Sequence, residues 1–578
     1  MQAAVGRHRS RGSGVDLQHV VDTRVWRTGD RARGRRMQFR CGLVAAPDRS
    51  GAAVNRKKTV FMDKVLNSHV GRRRFAAGTG VLAVSLSTAG VVAAQGTPDA
   101  SPSASPVAIN LLPELVIDLS GDPVSIDPAL AYSPRDWSIV HAIYDGLIAI
   151  SENGTIQPVA AETFEAVDEL TFEAHLRHGL TFHDGTPVTA DAAIRGIEHL
   201  QGGDSQVIDL FSTITNVERV DDLTVRIVCD VPSPWLPAQL AVWHMLLPEG
   251  YSAELLSSNP VGSGPYRFAS WERGSQLELE RFEGYQPSEA KGAPIADRVV
   301  YRFVPEASTR VADLRSGSAD IAVEVPLDQH QAVESGDAAV VSAPIVGSGW
   351  IRIATDTEPF DDLRVRQALN MALDVDAIAK ALVSGEAHRL ASLHPDQRSM
   401  GFNPDLAPYT YDPDGARALL EESGLDDGID TVFEVTSGVP QAIAEAIVAQ
   451  WAEIGIRAEL QVSELAAFNA AWADASAPPL RMATWRPLYD PYTLLSLVFA
   501  SEGYLSRYDN PQADGLIASA AGESDPEKRA ALYRELATVM HEDAPAVFLW
   551  NLVESYGVSE EASAWVPRGD QYVLPMAR

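Results

Sequence analysis

The chain has 578 residues, a formal net charge of −31 and only two cysteines. That length exceeds what one hydrophobic core supports, so at least two lobes are expected. The acidity excludes nucleic acid and anionic lipid as partners of the general surface, because both demand a basic footprint.

The charge is unevenly spread. Residues 1–94 hold 18 Lys and Arg against 5 Asp and no Glu, which leaves the remainder at about −44. Residues 1–61 are Arg-rich with little apolar periodicity and are expected to be a non-native upstream extension or disordered, with Met62 as the start of an export signal. Gly71-Arg72-Arg73-Arg74-Phe75 precedes an uncharged stretch rich in small residues that ends at Val92-Ala93-Ala94. This order of charge, apolar run and small residues predicts a twin-arginine-type signal at 62–94, cleaved after Ala94. The alternative, a membrane anchor, is disfavoured by the Gly, Ser and Thr content of the run. No Cys follows Ala94, so lipid attachment there is not expected. Residues 95–110 have the Pro/Ser/Ala composition of an extended tether.

From Leu111 onward short apolar strands alternate with helical patterns, which predicts mixed α/β lobes. Strands are expected at Leu115 to Leu119, Thr171 to Leu176, Leu277 to Arg281 and Val299 to Val304. Helices are expected at Asp361 to Ser384, Pro413 to Ser423, Gln441 to Ile454 and Pro526 to His541. In Thr224 to Cys229, alternation places Val225, Ile227 and Cys229 on one face, so Cys229 reads as core. Cys41 lies in the upstream segment, and no internal disulfide is possible in the body.

Several stretches are more specific. Ser125-Ile126-Asp127-Pro128 is followed by Ile143-Tyr144-Asp145-Gly146-Leu147 and Pro158-Val159-Ala160-Ala161-Glu162, and then by Leu176-Arg177-His178-Gly179-Leu180-Thr181-Phe182-His183-Asp184-Gly185-Thr186-Pro187-Val188-Thr189-Ala190-Asp191. Asn259-Pro260-Val261-Gly262-Ser263-Gly264-Pro265-Tyr266, the run from Pro359 to Asp374 and Ala544-Pro545-Ala546-Val547-Phe548-Leu549 complete the set. In order and spacing, over roughly 460 residues, these resemble family 5 of the ABC-transporter solute-binding proteins, the extracellular peptide- and nickel-binding class. Most of the motifs are structural: Asp184 to Pro187 is a turn, the Thr189 hydroxyl is expected to cap a helix from Ala190, and Gly262 to Pro265 reads as a tight crossing between lobes.

The resemblance implies a bilobal α/β fold of periplasmic-binding-protein-like type II (cluster C), with a subdomain inserted in lobe I. Lobe I would comprise 111–150, 262–345 and 545–578, the insertion 151–261, and lobe II 346–544. Such a protein binds a small solute, most simply a peptide or peptide-like ligand, by lobe closure. It delivers the solute to the permease subunits and ATPases of an ABC importer, as a monomer exported to the periplasm or outer face of the membrane, with no cofactor. Alternatives in the same frame are a nickel or other metal chelate, an oligosaccharide, or ligand sensing without an importer.

Candidate ligand contacts come from four places. The Pro-punctuated loop Thr484 to Tyr492 gathers Trp485, Arg486, Tyr489 and Asp490. In peptide-binding relatives this loop carries an Asp that pairs with the ligand's α-amino group; here that position is Pro487, and Asp490 is the substitute. The spacing of Trp485, Tyr489, Asp490 and Pro491 is closer to nickel-binding members, yet their arginines and ligating His have no counterpart. Trp235 and Trp243-His244 fall where relatives place pocket residues of the inserted subdomain, so the resemblance implies Trp243 and His244 as contacts. Tyr132, Ser133 and Trp137 follow the Asp127-Pro128 turn, and Trp350 lies just past the first crossover. The sequence has no Gly-x-Ser-x-Gly, His-Glu-x-x-His, phosphate-loop lysine or paired zinc cysteines, so no catalytic residue is assigned. His183-Asp184 and His541-Glu542-Asp543 read as solvated turns and helix ends.

Overall fold

The computed structural model describes residues 111–577 apart from Glu152 and Ala473. The upstream extension, export signal and linker expected at 1–110 lie outside the described residues. Among these, no helix is long and apolar enough to cross a membrane.

The strands are β1 (Leu112–Leu119), β2 (Ile148–Ile150), β3 (Ile156–Pro158), β4 (Ala161–Asp168), β5 (Thr171–Leu176), β6 (Ile214–Arg219), β7 (Thr224–Cys229), β8 (Tyr266–Glu272) and β9 (Gln276–Arg281). They continue as β10 (Ala293–Pro294), β11 (Ala296–Phe303), β12 (Ile321–Ala322), β13 (Ala338–Ile353), β14 (Ile429–Thr436), β15 (Ile456–Ser463), β16 (Leu480–Trp485), β17 (Ala546–Ser559) and β18 (Met576–Ala577). Ten of them form one sheet in the order β15-β14-β16-β13-β17-β12-β1-β11-β9-β8. Parallel pairs β14–β15 and β14–β16 lie on one side, β1–β11 and β1–β12 on the other. Leu115, Ile117 and Leu119 of β1 alternate onto one buried face, as the period of a strand requires.

Two strands tie the halves together. β13 and β17 run antiparallel from Ala338 opposite Ser559 to Arg352 opposite Ala546, with the register slipping between Pro344 and Ser348. The apolar cores are separate on either side: one cluster surrounds β1, β9, β11 and the inserted β4-β5-β7-β6 sheet, and others surround β14, β15 and β16. This is the bilobal α/β arrangement of the type II binding-protein fold.

Local chemistry explains most boundaries. Helices Pro413–Glu422 and Pro526–Asp543 start with Pro in the first turn, behind Asp412 and Asp525, whose carboxylates accept from backbone N–H groups. Cys229 is buried in the inserted sheet, as its alternation predicts.

Four expectations need correction. The helix expected over Asp361 to Ser384 is two helices, Leu363–Met371 and Val375–Leu382, because the Asp374 carboxylate accepts from Ala377 N–H and caps a new start. Thr189 occupies the N-cap position of helix Ala190–Leu200 without a side-chain cap bond. Gly262 and Gly264 are needed where the chain presses on the end of helix Pro134–Ile143: a Cβ at Gly262 would stand 2.1 Å from Ile143 O. That close approach lies within the first lobe, not between lobes. His183 and His541 are tied in rather than solvated: His183 accepts from Gly262 N–H at Nδ1 (3.2 Å) and donates from Nε2 to Gly264 O (3.1 Å), and His541 donates from Nδ1 to Ala391 O (2.7 Å).

A single lysine secures the floor of the first lobe. The buried Lys291 ammonium donates to His141 O (2.6 Å), Tyr144 O (2.8 Å) and Asp145 Oδ1 (2.7 Å), which uses all three of its protons. Replacing Lys291 by Met would strand Asp145 in the interior, and breaking such a pair costs about 3–5 kcal/mol. Lys291→Met is therefore expected to lower the urea midpoint strongly with an unchanged slope; a midpoint equal to wild type would contradict this role.

Candidate functional site

The space between the lobes is bounded by helix Pro134–Ile143, helix Leu236–Trp243 of the insertion, the C-terminal tail 568–574 and the loop after β16. It is nearly closed: about 10 Å³ remains among His141, Val242, Tyr489, Arg568 and Tyr572, room for about one water.

Aromatic side chains line it. Trp137 meets Trp243 edge to face (centroids 5.7 Å, 85°) and leans on Tyr572 at 5.7 Å, while Tyr572 stacks on His141 at 4.9 Å. The indole N–H of Trp137, that of Trp243 and the Tyr572 hydroxyl are buried without a hydrogen-bond partner. Such groups are uncommon and each demands an explanation; gathered on one cleft, they suit polar groups of a ligand.

The electrostatics keep His141 neutral. Burial first, then the Lys291 and Arg568 charges, push its pKa well below the ordinary imidazole value, so its Nε2–H donates to Val242 O at 3.1 Å. Arg568 is neutralised by Asp570, whose carboxylate accepts at 2.9 and 3.0 Å from Nε and also from Tyr572 N–H.

The loop after β16 crosses the cleft. Tyr489 is buried within the first lobe's apolar cluster although the loop springs from the second. Tyr492 stacks on Trp235 of the insertion (4.4 Å, 11°), and Gln239 donates to Thr493 Oγ1 at 3.1 Å. Trp485 is half-buried against the second lobe's core. Arg486 donates to Thr484 Oγ1 (3.2 Å), its Nε–H has no partner, and burial lowers its pKa.

Other sequence-predicted contacts are placed differently. The Asp490 carboxylate is held by Arg529, which also donates to Tyr533 OH and Ala520 O, so it anchors the loop rather than facing a ligand. His244 is buried, donating from Nε2 to Ala193 O (3.1 Å) and packing over Gly196. Trp350 is core, set against Phe499 and Trp472. Ser133 caps helix Pro134–Ile143 in a capping box with Asp136, and Tyr132 is exposed beside it. These placements correct Asp490, His244, Trp350 and Ser133 as free ligand contacts; Tyr489 lines the remaining space, Trp137 and Trp243 meet beside it, and Trp485 and Arg486 lie where the loop leaves β16. Among the described residues, no group of three or more His, Cys, Asp or Glu is placed to hold a metal ion.

Sequence reasoning missed Glu324, Glu554, Tyr556, Arg568, Asp570, Gln571 and Tyr572. Glu554 had a signal: it is the one acid inside the mainly apolar β17 run, and acids are almost never buried without a reason.

The chain matches the profile of the bacterial extracellular solute-binding proteins, family 5 middle, over residues 155–506. It is similar to the glutathione-binding protein GsiB of Pectobacterium atrosepticum, 29% identical over 462 residues, covering 75% of this chain and 88% of that one. Among solved structures it resembles the ABC transporter-associated periplasmic binding protein DppA of Helicobacter pylori in complex with the peptide STSA (24% identity, TM-score 0.68, 81% of this chain and 99% of that one). It also resembles the ABC transporter substrate-binding protein CtaP of Listeria monocytogenes (23%, TM-score 0.72, 81% and 99%). The latter two likenesses show the shared fold.

Two predictions follow from this geometry. Tyr492→Ala removes the stack that joins the insertion to the second lobe, so small-angle scattering should give a larger radius of gyration for the unliganded variant; identical profiles would count against a latch. The pH dependence has two opposed parts. Burial, its main cause, drops His183, His244 and His394 to about 4; they bind fewer protons folded than unfolded, so stability rises with pH from about 4 to 6.5. Burial and then the Glu324 charge push Glu554 from 4.5 up to about 8; it binds more protons folded, so its contribution is lost as pH rises toward 8. Glu554→Gln should flatten the decline in urea stability between pH 6.5 and 8, and an unchanged slope would refute the assignment.

The chain therefore belongs to family 5 of the bacterial extracellular solute-binding proteins.

Proposed function

We propose that this protein captures a small peptide-like solute outside the cytoplasm and hands it to the permease subunits of an ABC importer, without chemistry on the solute. The observation that carries this reading is the inter-lobe cleft in which Trp137, Trp243 and Tyr572 hold unpartnered buried donors against the loop bearing Arg486 and Tyr489. Aromatic faces with a few aimed polar groups form the usual surface for gripping a small ligand. The GsiB relative is named for glutathione, and a γ-glutamyl tripeptide belongs to the same chemical class.

Within this reading the exported, monomeric receptor closes by hinge movement. Trp485, Arg486 and Tyr489 supply the second lobe's contacts. Trp137, Trp243 and Tyr572 supply the first lobe's, with Tyr132 at the rim.

A thermal-shift panel of glutathione, tri-alanine, nickel–histidine and an oligosaccharide tests it. A ligand at a hundred times its Kd stabilises the fold by about 2.7 kcal/mol, and the peptides are expected to do so and to be recovered unchanged by mass spectrometry. Trp485→Ala should weaken peptide affinity about tenfold with the fold intact. A response to the chelate or sugar alone would reassign the ligand class, and silence across the panel would remove the binding assignment.

A further inference from the structure

On the first lobe's side of the cleft, next to the aromatic box, a second small space lies at the carboxyl ends of β1 and β12, where open α/β sheets place ligands. It is bounded by Leu119, Arg135, Glu324, Glu554, Tyr556 and Gln571 and encloses about 20 Å³. We propose that Glu324, Glu554, Tyr556 and Gln571 bind a primary ammonium group of the captured solute. This rests on the peptide-like reading above and supplies the ammonium partner that Pro487 cannot.

The chemistry of the pocket's free atoms points one way. Glu554, buried in β17, accepts from the Gln571 side-chain amide and the Glu324 backbone N–H. Glu324 is exposed at the rim and accepts from Ser120 Oγ at 2.8 Å. The Tyr556 hydroxyl is fully buried with no partner, and Gln571 Oε1 is buried and unpartnered as well. The pocket thus offers two carboxyl groups, a hydroxyl oxygen and an amide oxygen able to accept, with the Arg135 guanidinium at its wall. An ammonium has three N–H donors and no acceptor, and is the size of the single water that such a space holds. A guanidinium or a quaternary ammonium is too large.

Among the described residues neither acid is in an ion pair, although cations stand near. Arg310, beneath the site, spends its donors on Val304 O, Pro305 O, Val323 O and Glu324 O. The Arg135 guanidinium lines the pocket and rests against Gly121. Arg486 donates to Thr484 Oγ1, and its charge acts on both Glu324 and Glu554, opposing the larger effects of burial and of Glu324 on Glu554. Asp118 is paired with Arg302 and Asp570 with Arg568. With these charges in place Glu554 still holds its proton to about pH 8, raised by burial and by Glu324. An ammonium bound beside Glu554 favours its ionised form, the carboxyl proton leaving to solvent. Glu324 (φ +50°) and Gln571 (φ +69°) are both in the left-handed region that non-glycine residues rarely adopt, so the backbone at this pocket is held against its preference.

The test is calorimetry on the full chain with glutathione and tri-alanine, each beside its N-acetylated form. Acetylation of the α-amino group is expected to weaken binding at least tenfold. Glu324→Gln, at the exposed rim, and Tyr556→Phe, which removes one oxygen, should each weaken the free amine and leave the acetylated form unchanged. Glu554→Gln should do the same if it folds, and the other two variants decide the matter if it does not. Equal affinity for free and acetylated peptides, or no effect of Glu324→Gln and Tyr556→Phe, overturns this inference while leaving the function standing. Failure of both free peptides to bind overturns the peptide reading and this inference with it.

Discussion

The ladder between β13 and β17 is the constraint from which the rest of the molecule follows. These two strands join the halves of the sheet, and the ladder is interrupted between Pro344 and Ser348. Pro344 has no N–H to contribute, and the residues freed by the slip bond elsewhere. Val346 donates to Gly569 O and accepts from Leu488 N–H, both at 2.7 Å. The interruption is therefore the junction of the crossover, the C-terminal tail and the aromatic loop. Gly347 permits this crowding, since a Cβ there would stand 2.8 Å from Trp485 O. Any rotation of the lobes about this point moves the tail and the loop together, which places hinge and ligand cleft in one assembly.

Buried charge separates scaffold from site. Lys291 with Asp145, Arg529 with Asp490 and Arg568 with Asp570 are buried pairs whose other hydrogen bonds run to backbone or neighbouring groups, and Arg481 with Glu434 is a fourth that leaves Nη1 of Arg481 unpartnered. Desolvating such charges is tolerable only when geometry and hydrogen bonds compensate, and these pairs hold helices, loop and tail in place. Among the described residues Glu554 and Arg486 form no such ion pair, and their charges act on one another where the lobes meet.

The α/β class, most strands and the helices beginning at Pro413, Gln441 and Pro526 were legible because they rest on local signals: alternation, Asp-Pro starts and apolar periodicity. The helix over 361–384 was misread because Asp374 reads equally as a polar surface residue and as a cap, and only the partner N–H of Ala377 decides. Candidate contacts fared unevenly for a similar reason. The loop 484–492 was visible from its aromatics and prolines, but the fate of Asp490 depends on Arg529, 39 residues away. His244 and Trp350 were judged by residue type, whereas their burial is set by Gly196 and by Phe499 and Trp472.

The residues missed altogether show where local reading stops. Glu324 and Glu554 are 230 positions apart in sequence, and Gln571 comes from a tail with no regular structure around it. They converge because β12 pairs with β17 through Ile321 opposite Val558 and Ala322 opposite Gly557, and because Val573 N–H docks on Ser138 Oγ at 2.8 Å. Neither contact has a sequence signature. A family's frame can thus be carried by motifs that repeat in order along the chain, while its pocket is assembled from single residues on separate strands. Exchanging Glu324 or Tyr556 alters the chemistry presented to the ligand and leaves every frame motif in place, so solute choice can change on a scaffold that stays the same.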